Sequence, residues 1–139
     1  MKFRTWIVPV LLLATACVKS GPETQSGLVP ASMRTYSKPF STVWKAVTQT
    51  VQIDFMIPIE VIEKKRGYFA SEMVKDYQPF QRSRYRLSGT VLYDGQSTVV
   101  KLYKQLEIEQ ADAWKTIPSD LSLESKILES VSKRLNREK

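Results

Sequence analysis

Apolar and polar positions recur along this chain with periods that change several times, and each change marks an element. The first stretch has no period at all: Trp6 to Cys17 (WIVPVLLLATAC) is a nearly unbroken apolar run, preceded by Lys2 and Arg4 and closing in the small residues Ala14, Thr15 and Ala16. A basic start, a short apolar stretch and a small-residue end are the build of an export signal. Val18 to Ser32 (VKSGPETQSGLVPAS) is rich in Ser, Gly and Pro, the composition of a flexible tether. Met33 to Tyr36 then reads as a short edge strand. A helical period follows, with Phe40, Val43, Trp44, Val47 and Val51 on one face and Ser41, Lys45, Thr48, Gln49 and Gln52 on the other. Pro39 and Ser41 are its start signals, and Trp44, set among aliphatics, reads as core.

From Met56 the period drops to two. Met56 to Lys64 and Tyr68 to Lys75 read as strands joined by a turn at Lys64 to Gly67, with Pro58 placing the first at an edge or a strand start. Asp76 to Gln81 reads as a connection that carries Pro79 and two aromatics available for contact, Tyr77 and Phe80. Ser83 to Tyr93 and Gln96 to Ile108 flank Asp94-Gly95, a strong hairpin signal. A two-residue turn on that pair sets Tyr85, Leu87, Val91 and Tyr93 on one face with Val100 and Leu102. The other face then carries Arg82, Arg84, Arg86 and Ser88 opposite Glu107, Gln105, Tyr103 and Lys101. A slip of one residue would mix the two faces, so the sorting itself supports the hairpin. Lys104 is the exception on the apolar face and is expected at its rim, with the charge in water.

A loop with Trp114 and Pro118 leads to a second helix, from about Ser122 to Asn136. Its stripe is Leu123, Ile127, Leu128, Val131 and Leu135, with Glu124 in the first turn and Lys133, Arg134 and Arg137 at the end. Helix, four-stranded antiparallel meander and C-terminal helix make an α+β, two-layer domain over residues 33–139, both helices on the apolar sheet face.

The only cysteine, Cys17, stands where signal cleavage should fall. The segment resembles a bacterial lipoprotein signal, in which that cysteine is acylated and becomes the mature N-terminus. Residues 1–16 are then the signal and residues 17–32 the lipidated cysteine and tether. An ordinary secretory peptide and a transmembrane anchor are the other readings, the anchor needing roughly twenty apolar residues. Val18 in place of an aspartate after the cysteine resembles lipoproteins sorted to the outer membrane, so the domain is expected to hang from that membrane into the periplasm. Losing residues 1–16 removes Lys2 and Arg4 from the 21 basic residues and none of the 14 acidic ones, so the net charge falls from +7 to +5. Such a charge points to anionic headgroups or an acidic protein partner, while the compartment and the lack of a recognised motif argue against nucleic acid.

With no histidine, serine–histidine catalysis and histidine metal sites are excluded, and a single cysteine forms no intrachain disulfide. Glu107 and Glu109 share a strand face as an acid–base pair might, but opposite Arg82 they read as surface charge. No phosphate-binding loop or nucleophile elbow is present. The expectation is a non-catalytic protein without cofactor or metal.

PFSTVWKAV opening the first helix, IEVIEKKRGYFASEMV as the first strand pair and ESKILESVSKRL as the closing helix resemble the helix-grip domains of BamC-type lipoproteins of the outer-membrane protein assembly machine. The likeness runs from about Tyr36 to Leu135. It implies a single helix-grip-like domain acting as an adaptor or accessory subunit of an envelope complex, and it transfers no functional residue individually. The alternative is a periplasmic carrier or sensor with an apolar, lipid-like ligand between sheet and helix. Expected docking residues are Tyr77, Phe80, Arg82, Arg84, Arg86 and Tyr103. The arginines repeat at the strand period, about 7 Å apart on one face, beside aromatics, a combination enriched in binding hot spots. The bland reading is a solvated face with Arg82 loosely paired to Glu107. A filled core with exposed aromatics favours the adaptor, and a connected apolar cavity favours the carrier.

Overall fold

The computed structural model describes residues 32–137. The export signal, Cys17 and the tether up to Ala31 lie outside the described residues, as do Glu138 and Lys139. The elements run β1 (Ser32–Tyr36), α1 (Phe40–Gln49), β2 (Ile59–Glu63), β3 (Tyr68–Ser71), β4 (Val74–Gln78), β5 (Gln81–Tyr93), β6 (Thr98–Gln110), β7 (Ala113–Ile117) and α2 (Ser122–Arg137). All strands pair antiparallel in one seven-stranded sheet.

β5 and β6, 13 residues each, form the central hairpin. Their outer neighbours change halfway along. Near the hairpin turn β5 is flanked by β3 and then β2, and β6 by β1, which makes a five-stranded body. Towards the other end β5 pairs with β4 and β6 with β7, which makes a four-stranded arm.

The α+β, two-layer expectation holds, since both helices cover the same face of the body. Tyr36, Phe69, Leu87, Val91, Val100 and Leu102 of the sheet form one cluster with Val43, Trp44 and Val47 of α1 and Ile127, Leu128, Val131 and Leu135 of α2. Trp44 stacks on Phe40 at 5.7 Å and meets Phe69 edge-on at 6.3 Å. After Gln49 the helix widens into a π turn over Thr50–Asp54. There Arg134 of α2 donates to the Thr50 hydroxyl at 3.2 Å and to both Asp54 oxygens at 2.7 and 2.9 Å, tying the helices together.

Four local differences from expectation have physical reasons. The hairpin turns on Gly95 and Gln96, not on Asp94 and Gly95: Gly95, at φ +98°, takes the first central position, as a type II′ turn requires. The Asp94 amide donates to the Ser97 carbonyl at 3.1 Å, and the Asp94 carboxylate accepts from the amides of Gln96 and Ser97 at 2.9 and 2.8 Å. Those bonds hold the Asp94 carboxyl below its ordinary range. Pairing therefore shifts by two residues, Tyr93 to Thr98, and a shift of two preserves the faces. Second, the stretch read as one strand from Tyr68 breaks after Ser71, and the supposed connection is β4 and the start of β5. Third, the loop around Trp114 is strand β7, reached through a turn on Ala111 and Asp112, both at positive φ. Fourth, Lys104 is buried rather than solvated at a rim; its Nζ reaches the Asp120 carboxylate at 3.4 Å.

Trp44→Ala should cost about 3–5 kcal/mol, a large share of the roughly 5–15 kcal/mol that stabilise an ordinary domain. Thermal unfolding checks this, and an unchanged midpoint would show that the α1 stripe is not the core.

Candidate docking surface

The sheet face away from the helices has no layer over it among the described residues. Its side chains are set by alternation along each strand. At the far end of the arm one row crosses four strands, Tyr77, Arg82, Glu109 and Trp114, and the next row holds Lys75, Arg84, Glu107 and Thr116. Arg86 lies opposite Gln105, and Tyr103 lies opposite Ser88 on the body, not opposite Arg86.

The two-residue shift reassigns the arginine partners. Arg82 meets Glu109 at 3.5 Å, so its expected pairing with Glu107 is replaced; Arg84 bonds Glu107 at 2.5 Å. Arg86 reaches Glu60 at 2.7 Å. Glu60 is the extra residue of a bulge in β2, where pairing jumps between Ile59 and Val61, and bulges re-aim side chains in this way. The guanidinium of Arg84 also lies 4.2 Å from the centre of the Trp114 ring. The three arginines are thus committed to carboxylates of their own sheet, and the surface is a charge mosaic rather than a bare basic stripe.

The aromatics are less committed. Phe80, in the turn between β4 and β5, is 100% exposed and Tyr77 is 70% exposed, while Trp114 and Tyr103 are partly covered at 39% and 37%. Arg82, Arg84, Tyr77 and Phe80 share the arm, with Arg86 at its base and Tyr103 beyond it on the body. Sequence reading omits Trp114 from the set, since Trp114, Lys115, Thr116 and Ile117 do not sort into an apolar and a polar face and so give no strand signal.

The helix side of the arm carries an open cleft of about 350 Å³, floored by Tyr85, Leu106, Ile108 and Ile117, with the buried Lys104 in its wall and polar groups that include Asp120 at its rim. Hydrogen bonds from the Ser122 amide and hydroxyl, aided by the Lys104 charge, hold the Asp120 carboxyl below its ordinary range, while burial raises the Tyr85 phenol. Between the helices and the body the space is filled: Val43, Val47, Phe69, Leu87, Val100, Leu102, Ile127 and Val131 are all fully buried. Among the described residues no helix is long and apolar enough to cross a membrane, and no three His, Cys, Asp or Glu side chains gather as metal ligands would.

No protein-family model matches the sequence, and no curated protein matches it. Among solved structures, the chain is similar to a DUF4468 family protein from Bacteroides ovatus, at 11% identity and a TM-score of 0.41, over 80% of this chain and 81% of that one. It is also similar to a TBP-like protein from Parabacteroides distasonis, at 8% identity and a TM-score of 0.39, over 76% of this chain and 85% of that one. Nothing about function is carried by likeness at this level.

The arginines differ in what each holds. Arg84→Ala removes a part-buried ion pair and a stacked ring and should cost about 1–2 kcal/mol. Arg82→Ala removes an exposed pair and should stay within about 0.5 kcal/mol. Urea denaturation of the two variants measures the difference, and equal costs would contradict the arrangement.

Proposed function

We propose that this chain is a lipid-anchored envelope protein, held at the outer membrane through acylated Cys17, whose periplasmic domain is a non-catalytic adaptor or accessory subunit of an outer-membrane assembly-like complex. Its working surface is the uncovered sheet face, and its partner is a protein. One observation carries the reading: the core under the helices is filled, while large aromatics stand exposed on and beside the opposite face, Phe80 and Tyr77 most of all. Exposed aromatic groups rimmed by charge are a feature of interaction surfaces. The carrier alternative needs an apolar space between sheet and helix. That space is occupied by side chains, and the cleft beside it is open and polar-rimmed.

The arginine–glutamate mosaic fits this role better than non-specific electrostatic attraction. Fixed, alternating charges select an orientation, because a misaligned partner meets like charge.

Site-specific photo-crosslinking in intact cells tests the proposal. A benzophenone amino acid at the position of Phe80, Tyr77 or Tyr103 should give discrete protein adducts, and one at Lys126 on the exposed side of α2 should give none. Cys17→Ala should abolish palmitate labelling and reduce the adducts. Equal adducts from both faces, or acyl label retained by Cys17→Ala, would overturn it.

A further inference from the structure

On the body, the uncovered face has a gap in its side-chain cover. The central positions on β5 are small, Ser88 and Thr90, with only backbone showing at Gly89 between them. A Cβ at Gly89 would point to the helix side and lie 2.3 Å from the Phe69 ring, so the position stays glycine and Phe69 covers it from within. On one side of the gap Tyr68 of β3 stands opposite Thr90, and on the other Tyr103 of β6 stands opposite Ser88. Lys101, opposite Thr90, closes the rim. The result is a slot of about 160 Å³ whose exposed lining is almost wholly apolar.

Size and charge together define an occupant. A cavity of about 150 Å³ accepts one benzene ring, whereas sites for whole small molecules run to roughly 300–1,000 Å³. The slot is therefore sized for a single side chain, and tyrosine walls favour a ring by stacking. Its only charged lining residue is Lys101, which is exposed and forms no ion pair among the described residues. We infer that the slot between Tyr68 and Tyr103 receives an aromatic side chain from a partner protein segment that carries a carboxylate next to that ring. The inference rests on the docking reading above and adds the chemistry of the partner. It also gives Tyr103 a role distinct from the arm: it is a wall of the slot, and the arm supplies a second contact area.

The test uses the full-length chain in phospholipid nanodiscs with all 6 tyrosines replaced by 3-fluorotyrosine. Fluorine signals are assigned by Tyr→Phe variants, and 3-phenylpropionate is the probe. Saturable shifts are expected at Tyr68 and Tyr103, with the exposed Tyr77 and Tyr93 unmoved as controls. The amine analogue, 3-phenylpropylamine, should bind about three-fold more weakly, in keeping with one exposed charge contact, and Lys101→Ala should erase that preference. Ser88→Leu, which fills the slot, should abolish the shifts; Tyr103→Ala, which removes an exposed wall without touching the core, should abolish the shift at Tyr68. Equal movement of Tyr77 and Tyr93, no saturation, or equal binding of hexanoate would overturn the inference. Failure here with crosslinks from Phe80 intact removes the slot and leaves the docking face. Saturable shifts without outer-face crosslinks support the slot and remove the adaptor reading.

Discussion

Two backbone amides at the middle of the central hairpin, those of Leu87 and Lys104, set the condition on which the seven-stranded sheet depends. The two residues are register partners on β5 and β6. Both amides point outward, and both meet the gap where one neighbouring strand has ended and the next has not begun. A buried amide without an acceptor costs about 1–3 kcal/mol. The fold meets the need with side chains: the Ser71 hydroxyl, at the end of β3, accepts from Leu87 at 2.9 Å, and the fully buried Glu124 accepts from Lys104 at 3.0 Å. Glu124 sits in the first turn of α2, where the helix end favours a carboxylate. Its other oxygen has no hydrogen-bond partner among the described residues, so the position is held at some cost.

That waist lets one hairpin serve two surroundings. On the body side it lies under two helices and is buried on one face. On the arm side it runs on with a different pair of flanking strands and, among the described residues, no helix above it. The arm is held by cross-strand contacts, among them Arg84 between Glu107 and Trp114. A surface built on paired strands keeps its side chains at fixed spacing, and that rigidity lowers the ordering cost of binding. The proposed docking role rests on the same division, a stable body supporting an extended sheet face that no described layer covers.

Both helices, the apolar sheet face and the hairpin are legible in the sequence because each is a period sustained over many residues. Strand β7 is not. Its turn uses Ala111 and Asp112 at φ +48° and +63°, left-handed positions where glycine or asparagine would have been a signal. The break between β3 and β4 is hidden for another reason, since it depends on Ser71 bonding the backbone of a strand not adjacent in sequence. Asp94-Gly95 announces a hairpin, but only the side-chain bonds of Asp94 place Gly95 first in the turn, and that one-residue step moves Arg82 from Glu107 to Glu109 and brings Arg84 onto Glu107. Lys104 is read as solvated because its partner, Asp120, lies in a loop that no period describes. The slot lies deeper still: Tyr68, Ser88 and Tyr103 meet only once the registers of three strands are known.

Native-state amide hydrogen exchange tests the waist most directly. If the side-chain acceptors make one continuous sheet, the amides of Leu87 and Lys104 should exchange as slowly as those of Gly89 and Leu102, through global unfolding alone. Exchange at either amide that is orders of magnitude faster than at its neighbours would contradict the account, showing two sheets hinged at the middle of the hairpin.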